Sequence, residues 1–453
     1  MKDYKTRLEV ILTQQSKKST EYIESLVQYI PGGVHSHFRY IPRMHPIVVK
    51  KTQNSRVWDF DAKEYLDLSL RSGAILLGHN HEEFNERLLK ALDKVIGSDN
   101  TPETLEAVEI VKQHMPHIEM LRFSLSGSEA IQNSIRLARA YTGKNYVLKF
   151  EGQYHGHWDP LLGGKVYDYA IPIVVDDGNG IWATKGRTEM ATELHTIMLP
   201  LNDPGLLEKT FEKYSEDIAA VIIEPESIMG GFAVETYLFE KLNALCKKHH
   251  CVFILNEIDT GLRLSPSGFK ETEKIQPDIR ILGKSIANGL PVSVFGGKKK
   301  LMSIYADNKV IHGGTFNGYS LGIEAMIAVF DIIGCEGGYE QMRTYSGAIC
   351  DVFQEAIEDT GIKLCVQGNE ISNICYLAGK KNVDEWQSYD IMNYLQNLTV
   401  RECMAKHGII TSPMFRIYGN FSLNSDDVDF FSLRIKPALK EAKILLERLY
   451  DKH

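Results

Sequence analysis

Residues 218–257 read IAAVIIEPESIMGGFAVETYLFEKLNALCKKHHCVFILNE. An apolar run, Ile218–Glu224, leads into a long helical pattern through Lys248, and a second apolar run follows at Cys251–Glu257. Strand, helix, strand in that order is the crossover unit that joins parallel strands. The same alternation extends in both directions, from about residue 75 to 330. Arg122–Leu125 precedes the helix-like EAIQNSIRLARAYTG, Tyr146–Phe150 ends at a glycine-containing loop, and Ile279–Leu282 and Val292–Phe295 follow. This predicts an α/β fold with a mostly parallel sheet, whose sites are built by loops at the carboxyl ends of the strands.

Further out the texture changes. Residues 3–30 read as a polar, amphipathic helical arm, broken by Pro31-Gly32-Gly33. Residues 47–69 alternate like a strand pair, with a polar turn at Gln53-Asn54-Ser55. After about residue 330, helix-like stretches surround a few strand candidates such as Ile371–Leu377. Three parts are therefore expected: an N-terminal segment, 1–75, packing with the last part; a large domain, 76–330; and a smaller α+β domain, 331–453.

Composition narrows the class. The 453 residues carry 51 Lys+Arg against 59 Asp+Glu, a net charge of −8, and 43% are hydrophobic. That much apolar surface excludes disorder for most of the chain, and the acidic balance argues against nucleic acid or an anionic membrane as partner. The seven cysteines are odd in number, lie in the second half and include no CxxC pair, which suits reduced thiols better than a disulfide framework. The opening MKDYKTRLEVILTQQSKK lacks a signal peptide's apolar core, and no apolar run is long enough to span a bilayer. A cytoplasmic protein is expected.

Common nucleotide and metal motifs fail. Gly283-Lys284-Ser285 would need a glycine at 278 for a phosphate loop, and Asp278 is there instead. No GxGxxG follows a strand, and the pairs His79/His81, His155/His157 and His249/His250 form no HExxH, so no metal site is expected. Five other segments remain. Ser126-Gly127-Ser128-Glu129-Ala130 opens a helix and offers N–H groups to a phosphate, or is a plain cap with Ser128 at the N-cap. Tyr154, in the loop Glu151–His157, is placed to stack on a flat ring or to cap the core. The run Phe253–Gly261 ends an apolar strand in a burst of polar groups, which need partners or cap the next helix. Lys284 follows an apolar strand among small residues, so its amine is either a partly desolvated nucleophile or a snorkelling surface group. His312-Gly313-Gly314-Thr315-Phe316-Asn317-Gly318 permits close backbone approach, or is an ordinary glycine-rich turn.

Together, in this order, these segments resemble the class III aminotransferases of pyridoxal-phosphate fold type I, most nearly the glutamate-1-semialdehyde 2,1-aminomutase-like proteins. The likeness runs from about Pro31 to Asp429. It also rests on Pro31–Arg39, Leu77-Gly78-His79-Asn80-His81, Tyr154-His155-Gly156-His157 and Gly314-Thr315-Phe316-Asn317. The resemblance implies pyridoxal 5'-phosphate as cofactor. Lys284 would attach to it and shuttle the proton, and Ser126, Gly127 and Ser128 would hold its phosphate. Tyr154 would stack on one ring face and Ile258 on the other. Asn256 would face the ring nitrogen, and His155 and Glu224 complete the cofactor set. Thr315 would reach the phosphate of a neighbouring subunit, implying a homodimer that shares its active sites. Ser36 and Arg39 would take a substrate carboxylate.

Two positions depart from the family pattern. Position 256 normally holds Asp before the Glu of this strand end, and here it is Asn256. A neutral amide bonds the ring nitrogen but cannot supply the charge that keeps it protonated. That leaves slower ordinary transamination, a reaction needing less ring charge, or a lineage with impaired chemistry. The aminomutases also carry an acidic residue in a C-terminal segment where this chain reads Ser412–Gly419, with Arg416 near its place. Arg416 is either a substrate-binding cation or a solvated loop residue. Three functions follow: an aminotransferase moving an amino group between a carboxylate-bearing amine donor and a carbonyl acceptor; an intramolecular aminomutase; or a non-catalytic cofactor-binding protein.

Overall fold

The computed structural model describes residues 17–36, 39, 47–94, 97–162, 175–176, 182–183, 196–228, 231, 233–270, 272–307, 309–335, 337–369, 372–377, 391–412 and 415–450. The polar arm enters them as the helix Lys17–Leu26, followed by a tight turn at Pro31–Gly33. The expected strand pair is three-stranded: β1 (Val49–Gln53) and β2 (Arg56–Asp59) are antiparallel across the Asn54-Ser55 turn, and β3 (Glu64–Asp67) pairs with β2.

The large unit follows. Its strands are β4 (Met120–Ser124), β5 (Tyr146–Phe150), the paired two-residue strands β6 (Val175–Asp176) and β7 (Trp182–Ala183), β8 (Thr196–Leu199), β9 (Ile218–Ile223), β10 (Val252–Asn256), β11 (Ile279–Leu282) and β12 (Ser293–Gly297). Seven of them form one sheet in the order β4-β12-β11-β10-β9-β5-β8. The β8, β5, β9, β10 and β11 pairings are parallel, and β12 runs antiparallel to both neighbours. Every residue of β9 and β10 is buried, because helices cover both faces. Side chains alternate across the sheet. Ala220, Ile222, Val252 and Ile254 share a core with Ala130, Ile131, Ile135 and Ala138 of the helix Gly127–Thr142. Val221, Ile223, Phe253 and Leu255 share the other core with Leu238, Phe239, Leu242 and Cys246 of the helix Thr236–Lys248. The period of two along each strand thus builds three layers.

The last part supplies β13 (Leu364–Asn369), β14 (Ser372–Leu377), β15 (Ile409–Ile410) and β16 (Arg416–Tyr418). β13, β14 and β16 form an antiparallel sheet, and β15 pairs parallel with β3, far away in sequence. The helices Gly338–Thr360, Ile391–Lys406 and Ser425–Tyr450 contribute Phe353, Cys403, Phe431 and Leu439 to its core. By internal contacts the described residues divide into two units, one within 1–81 and 337–453, the other within 82–166 and 173–336. Among the described residues no helix is long and apolar enough to cross a membrane.

Candidate active site

The carboxyl ends of β4, β5, β9, β10 and β11 converge on a cavity of about 250 Å³ within the large unit. Ser126, Gly127, Ser128, Tyr154, Glu224, Asn256, Ile258 and Lys284 line it, with Asp259 and the apolar Leu290-Pro291-Val292 segment. Eight of the ten cofactor candidates named from sequence thus border one space. His155 lies behind Asn256, and Thr315 does not line the cavity.

One wall is the start of the helix Gly127–Thr142. Its N-cap is Ser126, two residues earlier than the cap considered from sequence. Ser126 Oγ accepts the Glu129 N–H (3.3 Å), while Glu129 Oε2 accepts the N–H groups of Leu125 (2.8 Å) and Ser126 (3.3 Å). The N–H groups of Gly127 and Ser128 have no acceptor within the helix and sit at its positive end, which suits an anion. Ser128 Oγ accepts the His157 N–H (3.2 Å) and lies 3.0 Å from His157 Nδ1. Only glycine fits at 127, since a Cβ there would come within 2.5 Å of Ile258 Cδ1. Gly127→Ala is therefore expected to displace Ile258 and to weaken cofactor binding by about tenfold, the effect of roughly one strained contact. Adding Ile258→Val, which removes Cδ1, should restore most of the affinity in a fluorescence titration; no recovery would count against this contact.

The opposite wall is the end of β10. Asn256 is 3% exposed; its Nδ2 donates to Tyr154 O (3.3 Å) and lies 2.9 Å from His155 Nδ1, and its Oδ1 accepts the Ile258 N–H (3.2 Å). His155 is fully buried, and burial together with the Lys149 charge holds its ring far below the usual histidine range. Lys284 begins a short 3-10 turn after β11, with φ at 47°, a left-handed conformation uncommon outside glycine. Its Nζ lies 2.6 Å from Asp259 Oδ1, with 23% and 9% of the two side chains exposed. To the two sequence alternatives, a partly desolvated amine or a snorkelling surface group, the structure adds an acid paired with Lys284. Asp259 escaped the sequence reading as a site residue. The signal was present, since a partly buried ammonium requires an acid, but nothing in the sequence distinguished Asp259 from the other acids nearby.

Glu224, at the end of β9, accepts the Ile228 N–H (3.1 Å) and the Tyr154 N–H (3.4 Å). Burial raises its carboxyl from 4.5 to about 8, with the Asp259 charge adding to the effect, so it is mostly protonated at neutral pH. Burial and Glu224 likewise raise the Tyr154 phenol to about 12. The folded chain holds the Glu224 proton where the unfolded chain has released it, so this group's contribution to stability falls as pH rises from 4.5 towards about 8. Glu224→Gln is expected to flatten the decline of the unfolding midpoint across that window; an unchanged slope would contradict the assignment.

The remaining candidates lie elsewhere. Thr315 is exposed in the glycine-rich loop, where its carbonyl accepts Ser98 Oγ (2.5 Å), flanked by Ile311 and Phe316 at 75% and 62% exposure. Ser36, Arg39 and Arg416 belong to the other unit, where Ser36 O accepts the Arg39 N–H (2.9 Å). Arg416 is 1% exposed on β16, so it is no solvated loop residue. Of the histidine pairs, His79 Nε2 sits 2.8 Å from Asp67 Oδ2, both side chains buried, in an ordinary structural contact.

The donor set fits one kind of ligand: an anion-binding helix end, apolar and aromatic faces from Ile258 and Tyr154, a polar strand end at Asn256, and one amine at Lys284. With this sheet, it defines a pyridoxal-phosphate-dependent enzyme of fold type I. The aminotransferase class-III model matches residues 40–364, and the chain belongs to that family. The glutamate-1-semialdehyde 2,1-aminomutase of Pelotomaculum thermopropionicum is 33% identical over 402 residues, covering 87% of this chain and 91% of the relative. That of Persephonella marina is 37% identical over 381 residues, covering 81% and 85%. An omega-transaminase from Sphaerobacter thermophilus superposes with a TM-score of 0.85 at 23% identity, over 96% of this chain and 99% of the other. A glutamate-1-semialdehyde-aminomutase from Pseudomonas aeruginosa PAO1 gives 0.83 at 19%, over 97% and 98%. These two structures share the fold.

Proposed function

We propose that the chain transfers an amino group between a carboxylate-bearing amine donor and a carbonyl acceptor, with Lys284 as the group that holds the cofactor and carries the proton. The observation that carries this reading is the Lys284 amine, held by Asp259 on the rim of the cavity that also contains the Gly127–Ser128 helix end. Bound there, pyridoxal phosphate supplies an electron sink for the electrons released at the substrate carbon. The N–H groups of Gly127 and Ser128, with the Ser126 and Ser128 hydroxyls, bind the phosphate. Ile258 and Tyr154 enclose the ring and exclude water from its faces. Protonated Glu224 adds no negative charge beside it, and Lys284 Nζ carries the proton between the two carbons that flank the transferred nitrogen. Arg39 and Ser36 hold the substrate carboxylate, with Arg416 a further cation for a second acidic group.

The second reading, an intramolecular aminomutase returning the amine to the same skeleton, is supported by the names of the relatives that are 33% and 37% identical. The exposed Ile311–Phe316 loop supports a homodimer in which Thr315 serves the partner's site. The free thiols of Cys246, Cys251, Cys335 and Cys403 support a cytoplasmic setting. Single-turnover mixing of loaded protein with a panel of amino donors, read by mass spectrometry, separates the readings. A transaminase releases a free keto product and stops until an acceptor is added. A mutase returns an isomer of the donor without one. Neither product from any donor would defeat both.

A further inference from the structure

The hydrogen bonds at the end of β10 limit what Asn256 can recognise. Its orientation is set by two backbone groups whose roles are unambiguous: Tyr154 O, which can only accept, lies 3.3 Å from Nδ2, and Ile258 N–H, which can only donate, lies 3.2 Å from Oδ1. Exchanging the amide's oxygen and nitrogen would set oxygen against oxygen and N–H against N–H. With this orientation Nδ2 spends its first hydrogen on Tyr154 O and its second on His155 Nδ1, at 2.9 Å. His155 Nδ1 must then be an acceptor, so the neutral ring carries its proton on Nε2. That atom is buried and has no hydrogen-bond partner among the described residues. Asn256 retains toward the cavity it lines only the second lone pair of Oδ1.

We infer that Asn256 is an acceptor-only contact toward the cavity, locked by Tyr154, Ile258 and the Nε2-protonated tautomer of His155, and that it selects an aromatic ring whose nitrogen carries a proton. An unprotonated ring nitrogen would set lone pair against lone pair. The amide thus recovers by orientation part of what a carboxylate would supply by charge. His155 is a positioning residue: it acts on the ligand only by consuming the second Asn256 hydrogen. The ring is held neutral by its burial and by the ammonium of Lys149 on β5, itself 1% exposed and donating to Leu161 O at 2.8 Å. The inference rests on the cofactor-site reading above, yet its first test needs no cofactor.

The full-length chain, isotope-labelled at its histidine ring nitrogens, is examined by magnetic resonance, with His155→Asn to assign the signal. The expected result is a neutral His155 ring protonated at Nε2 that does not titrate between about pH 6 and 8. In Asn256→Asp the carboxylate would demand a donor from Nδ1, so the proton should move there or the ring become charged. A parent ring protonated at Nδ1, or a tautomer unchanged in Asn256→Asp, would overturn the inference. In a second arm, pyridoxal phosphate and its analogue with C–H in place of the ring nitrogen are titrated into the parent. The analogue should bind about tenfold more weakly, the scale of one hydrogen bond. Equal affinities would overturn the selection of a protonated ring, whereas failure of both compounds to bind would instead defeat the cofactor-site reading and leave the first arm intact.

Discussion

Replacing Lys284 with alanine is expected to lower the amino-transfer rate by at least about a thousandfold and to remove the visible absorbance of the loaded protein. The scale is that of losing a positioned proton carrier, about 10²–10⁴, together with the covalent hold on the cofactor. Charge and chemistry are separable here, because Lys284 is also the ion-pair partner of Asp259, at 2.6 Å. Lys284→Arg keeps a cation beside that carboxylate but offers no nucleophilic amine. It should fold and bind the phosphate group as the parent does, yet be as inactive as the alanine variant. Restoration of the proton-transfer step by small added amines in Lys284→Ala would confirm that the missing element is the amine. A Lys284→Ala protein retaining a tenth of parental activity would sink the assignment.

Replacing Arg280 with methionine is expected to destabilise the large unit by about 3–5 kcal/mol, the cost of stranding one charge of a buried pair. Arg280 and Glu257 expose 3% and 0% of their side chains, and Arg280 Nε lies 2.5 Å from Glu257 Oε2. Each group is bonded further: Arg280 Nη2 donates to Ser267 O (2.9 Å), and Glu257 Oε1 accepts the Phe269 N–H (2.7 Å). Gly268 makes the arrangement possible, because a Cβ there would meet Arg280 Nη2 at 2.4 Å and Glu257 Oε1 at 2.5 Å. Arg280→Lys keeps the charge but not the fork, and should cost less. Glu257→Gln combined with Arg280→Met removes both charges and should recover much of the loss. The readout is the first transition in urea, since a chain of two units need not unfold in one step. A shift of less than about 0.5 kcal/mol for Arg280→Met, below the range set by a buried pair, would refute the account. Because Glu257 adjoins Asn256 and lies two residues before Asp259, the variant should also bind cofactor less tightly.

Local patterning carried much of this protein into view. The apolar runs that became β9 and β10 are unbroken up to Asn256, and those of β5 and β11 are interrupted only by the buried Lys149 and Arg280, because both faces of each strand are covered, so their composition betrayed them. Ser126–Ser128, Tyr154, Asn256, Ile258 and Lys284 were legible for a related reason: each lies at or just after the carboxyl end of a strand, where a parallel sheet places its sites. β15 was not legible. Two residues long, it pairs with β3 from more than three hundred positions away, and so short a run has no period to detect. The cap at Ser126 rather than Ser128 was also hidden, because several serines in sequence satisfy the same rule and only backbone geometry chooses among them.

The sequence by itself therefore determined the α/β class, six of the seven strands of the large sheet with β8 missed, and the loops where chemistry is concentrated. Burial and periodicity are local properties, written into neighbouring residues. Only the tertiary structure decided which acid faces Lys284, which way the Asn256 amide points, and that Glu224 keeps its proton to about pH 8. Those outcomes depend on distances of a few ångströms between residues tens of positions apart, and on the loss of water around them.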